Sequence, residues 1–101
     1  MFLLNAIVFP KLSLINTCGH KIKEARLKLG VEQSALAYEL EENFNLKLTQ
    51  SDISEIERMI RGIRDFELIA ISKILNVTVD ELLSDSDKFF KALKKKRNGK
   101  K

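Results

Sequence analysis

The sequence contains no tryptophan, one cysteine and one proline in 101 residues, and these low numbers restrict the possible folds. The stretch from Gly19 to Phe90 has no proline and few glycines, which favours helices over a turn-rich β fold. The lone Cys18 cannot form an internal disulfide, as expected in a reducing cytoplasm. The length allows one small domain with tails, built around one modest core.

Residue types that catalysis and metal binding require are also scarce. His20 and Cys18 lie two positions apart, no third group in the sequence orients them, and they are too few for a metal cluster. There is no glycine-rich phosphate loop and no nucleophile elbow. We therefore expect no enzyme activity, no metal and no cofactor.

Basic residues are concentrated at one end of the chain. Seven basic residues and no acidic residue follow Phe90, whereas residues 1–90 carry 11 basic and 14 acidic groups, a net charge of −3. The net charge of +4 for the whole chain therefore does not apply to the body of the protein, residues 1–90. Binding of a polyanion by the body would need a local basic patch.

Residues 1–18 are apolar at about two positions in three. Polar residues interrupt them too often for a transmembrane span, which needs about 20 apolar residues. A signal peptide is not favoured, because no basic residue precedes the apolar stretch and no small-x-small cleavage site follows it. Two interpretations stay open: a strand or arm packed on the domain or on a partner subunit, or upstream sequence included by a misplaced start.

Hydrophobic periodicity predicts two helices in the first half of the remaining chain. Helix 1 covers about 20–29, and Gly30 follows as a left-handed C-terminal cap. Helix 2 starts near Glu32 or Gln33, and segment 43–48 is expected to be a turn. The residues expected in or against the core are Ile22, Ala25, Leu29, Leu36, Ala37, Tyr38, Leu40 and Phe44.

The segment "LTQSDISEIERM", residues 48–59, predicts a third helix. Thr49 suits its N-cap, and Asp52 has the position of a capping-box acid. The expected inner face consists of Ile53, Ile56 and Ile60. Along another side lie the polar residues Gln50, Ser51, Ser54 and Glu55. Taken alone, this polar side favours the solvated face of an ordinary amphipathic helix.

Three shorter helical segments are predicted after a basic connector, residues 58–65. Asp65 is expected to cap helix 4, residues 66–75, and Asn76 to end it; a capping box at 78–81 opens helix 5. The last helix covers roughly 86–96. The expected apolar contacts are Leu68, Ile71 and Leu75 on helix 4, Val79, Leu82 and Leu83 on helix 5, and Phe89, Phe90 and Leu93 on the last helix. This last cluster fits intramolecular packing or half of a dimer interface.

The order of these segments resembles the phage-repressor (XRE, lambda-repressor-like) helix-turn-helix family. "IKEARLKLGVEQSALA" (22–37) is similar to the family's first two helices, "TQSDISEIE" (49–57) to its recognition helix, and "FELIAISKILNVTVDELL" (66–83) to helices 4 and 5. The resemblance implies an all-α, five-helix DNA-binding domain. The expected division is an arm at 1–18, this domain at 19–84, and a C-terminal helix with a basic tail at 85–101.

The sequence departs from the family pattern at three places. Seventeen residues lead from Gln33 to Gln50, more than in typical members, so helix 2 must be longer or the turn wider. Glu32 replaces the usual Ser or Thr before the glutamine of helix 2. Met59 stands where a glycine commonly follows the recognition helix.

The resemblance implies that the recognition helix, about 50–59, enters the major groove of double-stranded DNA. A glutamine amide matches the acceptor and donor of adenine, a serine is short and versatile, and a glutamate accepts from cytosine. The expected base contacts are Gln50, Ser51, Ser54 and Glu55.

Phosphate contacts are expected on both sides of that helix. Gln33 would present its side chain together with the free N–H groups at the start of helix 2; bracing Gln50 is an additional role for it. The full set expected to contact phosphates is Gln33, Lys47, Thr49, Arg58, Arg61 and Arg64. The alternative for the three arginines is pairing with Asp65, Glu57 and Glu67.

Together these features predict a cytoplasmic, sequence-specific transcriptional regulator of the repressor type. It would bind a roughly two-fold DNA site as a homodimer, with one recognition helix in each half-site. The alternative is a protein-interaction module on the same fold, such as the antitoxin half of a toxin–antitoxin pair. In that alternative, residues 1–18 and the Phe89–Leu93 cluster grip a partner protein, and DNA binding is secondary.

Overall fold

A computed structural model describes the backbone of residues 15–98 and the side chains of residues 15–94. Within this part the chain forms six α-helices and no strand, which confirms the all-α prediction. The helices are α1 (Gly19–Leu29), α2 (Gln33–Phe44), α3 (Gln50–Glu57), α4 (Asp65–Leu75), α5 (Val79–Leu82) and α6 (Ser86–Asn98). The expectations for residues 1–14 and 99–101 fall outside the described residues.

Helices α1 to α5 enclose one hydrophobic core. Each contributes an apolar stripe spaced three or four residues apart, so that one face of each helix is removed from water. The largest fully buried side chains are Cys18, Ile22, Leu36, Leu40, Ile53, Ile56, Ile71 and Leu82. All of them except Cys18 were predicted from the periodicity.

Left-handed residues end three of the helices. Gly30 has a φ of 74° after α1, Asn45 has 57° after α2, and Asn76 has 58° after α4. In each case the backbone N–H of the cap donates to carbonyl oxygens of the last turn, which would otherwise lack partners. The predicted stops at Gly30 and Asn76 are therefore confirmed.

Several apolar residues expected in the core are exposed. Leu29, Phe44, Ile60 and Leu83 lie at or beyond helix ends, where the apolar stripe has run past the edge of the core. Tyr38 is two positions from both Leu36 and Leu40, which places it on the opposite side of α2. Helical periodicity locates a face but does not show where the neighbouring helices stop covering it.

The prediction that Asp65 caps helix 4 is wrong. Arg64 is the N-cap residue of α4, and Asp65 is the first helical residue. The Arg64 backbone N–H donates to Glu67 Oε1 at 3.0 Å, so the carboxylate three residues later satisfies the cap. A glutamate at this position reaches back over the first turn, which the shorter adjacent aspartate does not do.

The connection between α2 and α3 is wider than a tight turn, as its length predicts. It consists of residues 45–49, after an α2 of 12 residues. Leu46 and Leu48 are partly buried against the core, and the Leu46 backbone N–H donates to the Leu40 carbonyl at 3.2 Å. These contacts anchor the connector, so the extra residues do not leave α3 loosely attached.

Gly19, the first residue of α1, occupies a position with no space for a side chain. A Cβ atom added to Gly19 would overlap the backbone carbonyl oxygen of Ile56, and it would lie 2.8 Å from Met59 Cγ. The start of α1 therefore packs directly on the end of α3. At Gly62, in contrast, the nearest atom to an added Cβ is Ile15 Cγ2 at 3.5 Å, an ordinary contact.

We predict that Gly19→Ala destabilises the domain although alanine is the better helix former. The new methyl group meets backbone, which cannot move away as a side chain would, and overpacking of this kind costs about 1–3 kcal/mol. Urea denaturation followed by circular dichroism measures the change. Gly62→Ala is the matched control and should leave the midpoint nearly unchanged; equal effects of the two variants would contradict the prediction.

Candidate nucleic-acid interface

Helix α3 has one buried side and one polar side. Ile53 and Ile56 are buried, while Gln50 and Ser51 in the first turn are exposed and Ser54 and Glu55 are half-buried. Residues at these spacings lie along one side of a helix. The structure thus brings the four predicted base contacts together on the outer side of α3.

A complete capping box fixes the start of α3. The Asp52 backbone N–H donates to Thr49 Oγ1 at 3.0 Å, and the Thr49 backbone N–H donates to Asp52 Oδ2 at 2.9 Å. The bond from the Thr49 backbone holds the pKa of the Asp52 carboxyl below its usual value. Because this carboxyl stays ionised at neutral pH, the box is intact there and is lost only in acid.

A buried ion pair ties the end of α3 to α1. Arg26 Nε donates to Glu57 Oε2 at 2.6 Å, and Arg26 Nη2 donates to Glu57 Oε1 at 3.0 Å, a two-point arrangement that fixes the relative orientation of the groups. Arg26 Nη1 also donates to the Val31 carbonyl at 2.8 Å. Both charged residues are almost completely buried.

The same carboxylate positions Gln33. Gln33 Nε2 donates to Glu57 Oε1 at 3.0 Å, which joins the first residue of α2 to the last residue of α3. The expected brace from Gln33 is therefore directed to Glu57 at the far end of the recognition helix, because that carboxylate is within reach and accepts strongly. The pairing of Glu57 with the connector arginines, left open as an alternative, is wrong, since Arg26 occupies that carboxylate.

Asn16 holds the chain on both sides of the α3 end. Its Nδ2 donates to the carbonyls of Ile56 at 3.1 Å and Arg61 at 2.8 Å. Its Oδ1 accepts from the backbone N–H groups of Cys18 and Gly19 at 3.1 and 2.9 Å, which satisfies the start of α1. One buried amide therefore links α1, α3 and the basic connector.

The connector after α3 is further constrained by acidic residues. Arg61 Nη1 lies 3.3 Å from Glu67 Oε1, and Arg61 Nε lies 3.9 Å from Asp52 Oδ1, so the predicted alternative of pairing with Glu67 is confirmed for this arginine.

The Met59 backbone has a φ of 61°, a left-handed conformation that glycine adopts most easily. Met59 thus follows the backbone path expected for a glycine after the recognition helix.

The remaining basic candidates are exposed. Arg58 Nε donates to Ser54 Oγ at 3.3 Å, so this side chain folds back along α3. The Arg64 guanidinium lies 5.9 Å from the centroid of the Phe66 ring, and Lys47 is exposed before α3. These three cationic groups therefore have no carboxylate partner among the described ion pairs.

His20 and Cys18 have separate structural roles. His20 Nε2 lies 2.7 Å from Asp85 Oδ2, so the expectation that no group orients this histidine is wrong. The partner comes from the distant α5–α6 connection, which sequence proximity could not reveal. Burial raises the pKa of the Cys18 thiol to about 11, so little of the nucleophilic thiolate exists at neutral pH. In residues 15–98, no group of three or more potential ligands is placed to hold a metal ion.

Three residues that position α3 were not identified from the sequence: Asn16, Arg26 and Glu57. Arg26 and Glu57 do occupy positions that share the buried faces of Ile22 on α1 and Ile53 on α3, at four-residue spacing. Charged residues on two predicted apolar faces are the signal that indicates a buried ion pair. No comparable signal identifies Asn16 as a link between elements, because the two carbonyls that it binds lie 40 and 45 positions away.

We predict that Glu57→Gln lowers the free energy of unfolding by about 3 kcal/mol or more, since it leaves the Arg26 charge buried without a counter-ion. Thermal and urea denaturation measure this loss. Glu55→Gln, on the same helix but half-exposed, is the matched control and should change the stability by less than about 0.5 kcal/mol. A fully stable Glu57→Gln variant would show that the pair does not hold α3.

Comparison with known proteins agrees with this geometry. A helix-turn-helix family model matches residues 22–82, more than half of the chain, and this range runs from within α1 to the end of α5. Neither the curated proteins nor the solved structures gave a match. Within residues 15–98, no helix has the length and apolar character needed to cross a membrane. The chain belongs to the phage-repressor (XRE, lambda-repressor-like) type of helix-turn-helix family, whose members are DNA-binding regulators.

Proposed function

We propose that this protein is a sequence-specific transcriptional regulator of the repressor type. The observation that carries the proposal is the two-sided α3, buried through Ile53 and Ile56 and presenting exposed Gln50 and Ser51 in its first turn. First-turn residues reach base edges best when a helix enters the major groove. Bound protein would act by occupying the site and blocking polymerase.

Gln50 and Ser51 are the proposed main base contacts. Both side chains point away from the core at the end of α3 that the capping box holds rigid. Glu55 is half-buried and negatively charged, so its proposed role is to accept from cytosine and to disfavour other bases. Ser54 shares its hydroxyl with Arg58, so its base contact would accompany the phosphate contact of that arginine.

The proposed phosphate contacts differ in how available they are. Lys47, Arg58 and Arg64 are exposed, whereas Arg61 is already engaged by two carboxylates and would contribute less. Thr49 Oγ1 accepts from Asp52, which leaves its hydroxyl hydrogen to donate to a phosphate. Gln33 keeps one amide N–H and its carbonyl after bonding Glu57, beside the N-terminus of α2.

A homodimer is the proposed assembly on DNA. Two copies related by a two-fold axis would place one α3 in each half-site, one helical turn or a multiple of it apart. The apolar face of α6 supports this assembly, because Phe90 is 51% exposed on a helix whose first turn contacts the body through Ser86 and Phe89. A second copy would cover this face.

One prediction from the proposed function concerns base reading. Selection from a random DNA pool at fixed salt identifies the preferred duplex, and Gln50→Ala with Ser51→Ala should then lose about 1–3 kcal/mol of discrimination, 5- to 150-fold in Kd. Binding to a scrambled duplex of equal length is the internal control and should remain the same. Unchanged affinity for the selected duplex would show that α3 does not read bases.

Another prediction concerns the contacts with DNA phosphates. If Arg58 neutralises one phosphate, Arg58→Ala should reduce the magnitude of the slope of log K against log salt concentration by about 0.9 and weaken selected and scrambled duplexes equally. Lys28→Ala is the control for this slope, because it removes the same charge from α1. Lys28 lines a cavity with Leu75 and Val77, away from α3. Equal slopes for Arg58→Ala and the unaltered protein would remove Arg58 from the interface.

A protein-interaction module on the same fold, such as an antitoxin, is the second candidate. The exposed Phe90 favours it, since this face of α6 would suit a different protein as well as a second copy. Sedimentation of the purified chain separates the two candidates. A monomer that selects no DNA sequence but binds a protein encoded beside it would support this candidate and contradict the repressor.

A further inference from the structure

An apolar patch lies beside the connector between α2 and α3, and none of the proposed base contacts lines it. It is lined by Phe44, Leu46, Phe66, Ile69 and Ala70, from the end of α2 and the first two turns of α4. Phe66 is 48% exposed and Ile69 is 46% exposed. Phe44 also borders a second depression, in which the apolar Val31, Ala35 and Ile74 continue the surface along α2 and α4 and the polar Glu39, Asn43 and Lys73 form part of the lining. We call this surface the α2–α4 groove.

The N-terminal segment leaves the described structure close to this groove. Ile15 lines one cavity with Arg61, Gly62, Ile63 and Arg64. The Arg64 guanidinium is in turn 5.9 Å from the centre of the Phe66 ring, at the edge of the groove. A chain that continues from Ile15 toward residue 1 therefore starts one side chain away from the patch.

The chemistry of residues 1–14 matches such a surface. Ten of these fourteen residues are apolar and Lys11 is the only charged side chain among them. Burial of apolar area is favourable by about 25 cal/mol per Å². Fourteen extended residues span about 45 Å, so the segment can follow the groove along α4 and α2.

The size of the groove favours one peptide segment over a second copy of the domain. A stable protein–protein interface uses about 20–30 residues on each side. The groove offers far fewer, as only the side chains of its two depressions line it. A tethered segment also binds with a high effective concentration and so needs little surface.

We propose that residues 1–14 bind the α2–α4 groove of their own chain. The segment would cover Phe66, Ile69 and Phe44 and would hold the basic connector, residues 58–65, against α4. This proposal concerns an internal docking surface, and it does not depend on the DNA sequence that the protein binds.

Disulfide trapping in the full-length protein tests the proposal. Leu4→Cys, Ile7→Cys and Leu12→Cys are each combined with Ile69→Cys in the groove, and the rate of disulfide formation under mild oxidation is measured at low protein concentration. The control series replaces Ile69→Cys by Leu27→Cys, because Leu27 is 59% exposed on α1 and lines neither depression. The native Cys18 is buried and has a raised pKa, so it does not compete.

The expected result is a disulfide within one chain that forms at least about tenfold faster with Ile69→Cys than with Leu27→Cys for one or more of the three positions. Equal rates in the two series would overturn the proposal, since the tether alone would explain them. Products with the mass of a disulfide-linked dimer would also overturn it and would assign the groove to a second copy. Circular dichroism of the reduced variants verifies that each remains folded.

Discussion

The carboxylate of Glu57 is the group on which the arrangement of the first three helices depends. It accepts two hydrogen bonds from Arg26 and one from Gln33, which brings α1, the start of α2 and the end of α3 to one buried point. A buried charge is costly unless it is paired and hydrogen-bonded, so these partners have little freedom to separate. The angle of the proposed recognition helix therefore follows from a polar contact as well as from the packing of Ile53 and Ile56.

A second set of polar contacts fixes the connector that follows α3. Asn16 holds the carbonyls of Ile56 and Arg61, and Glu67 holds Arg61 and the backbone of Arg64. The connector has a left-handed Met59 and no regular structure, so these bonds replace the ones that a helix would provide. They also distinguish the arginines, because Arg61 is engaged by carboxylates whereas Arg58 and Arg64 are exposed and have no carboxylate partner among the described ion pairs. Few cationic side chains are therefore available for the proposed phosphate contacts, and residues 1–90 carry a net charge of −3.

Much of the fold was predictable from the sequence because its signals are local. The apolar period locates the helices, and Gly30, Thr49 and Asn76 mark helix ends through conformations or hydrogen bonds within a few residues. The polar residues of α3 were predictable as a set for the same reason. The predictions failed where the outcome depends on distant neighbours: Phe44 and Ile60 are exposed because none of the helices in residues 15–98 covers them, and His20 is oriented by Asp85 from 65 positions away.

The sequence by itself determined six helical segments, their order, the family and the residues on the outer side of α3. These properties follow from spacings of three and four residues and from motif order, which do not require knowledge of distant contacts. Only the tertiary structure decided that Gln33 meets Glu57, that Asn16 joins three elements, and that α1 packs closely enough on α3 to require Gly19. Each of these depends on the distance between backbone segments 24 or more positions apart, which packing of the whole core sets.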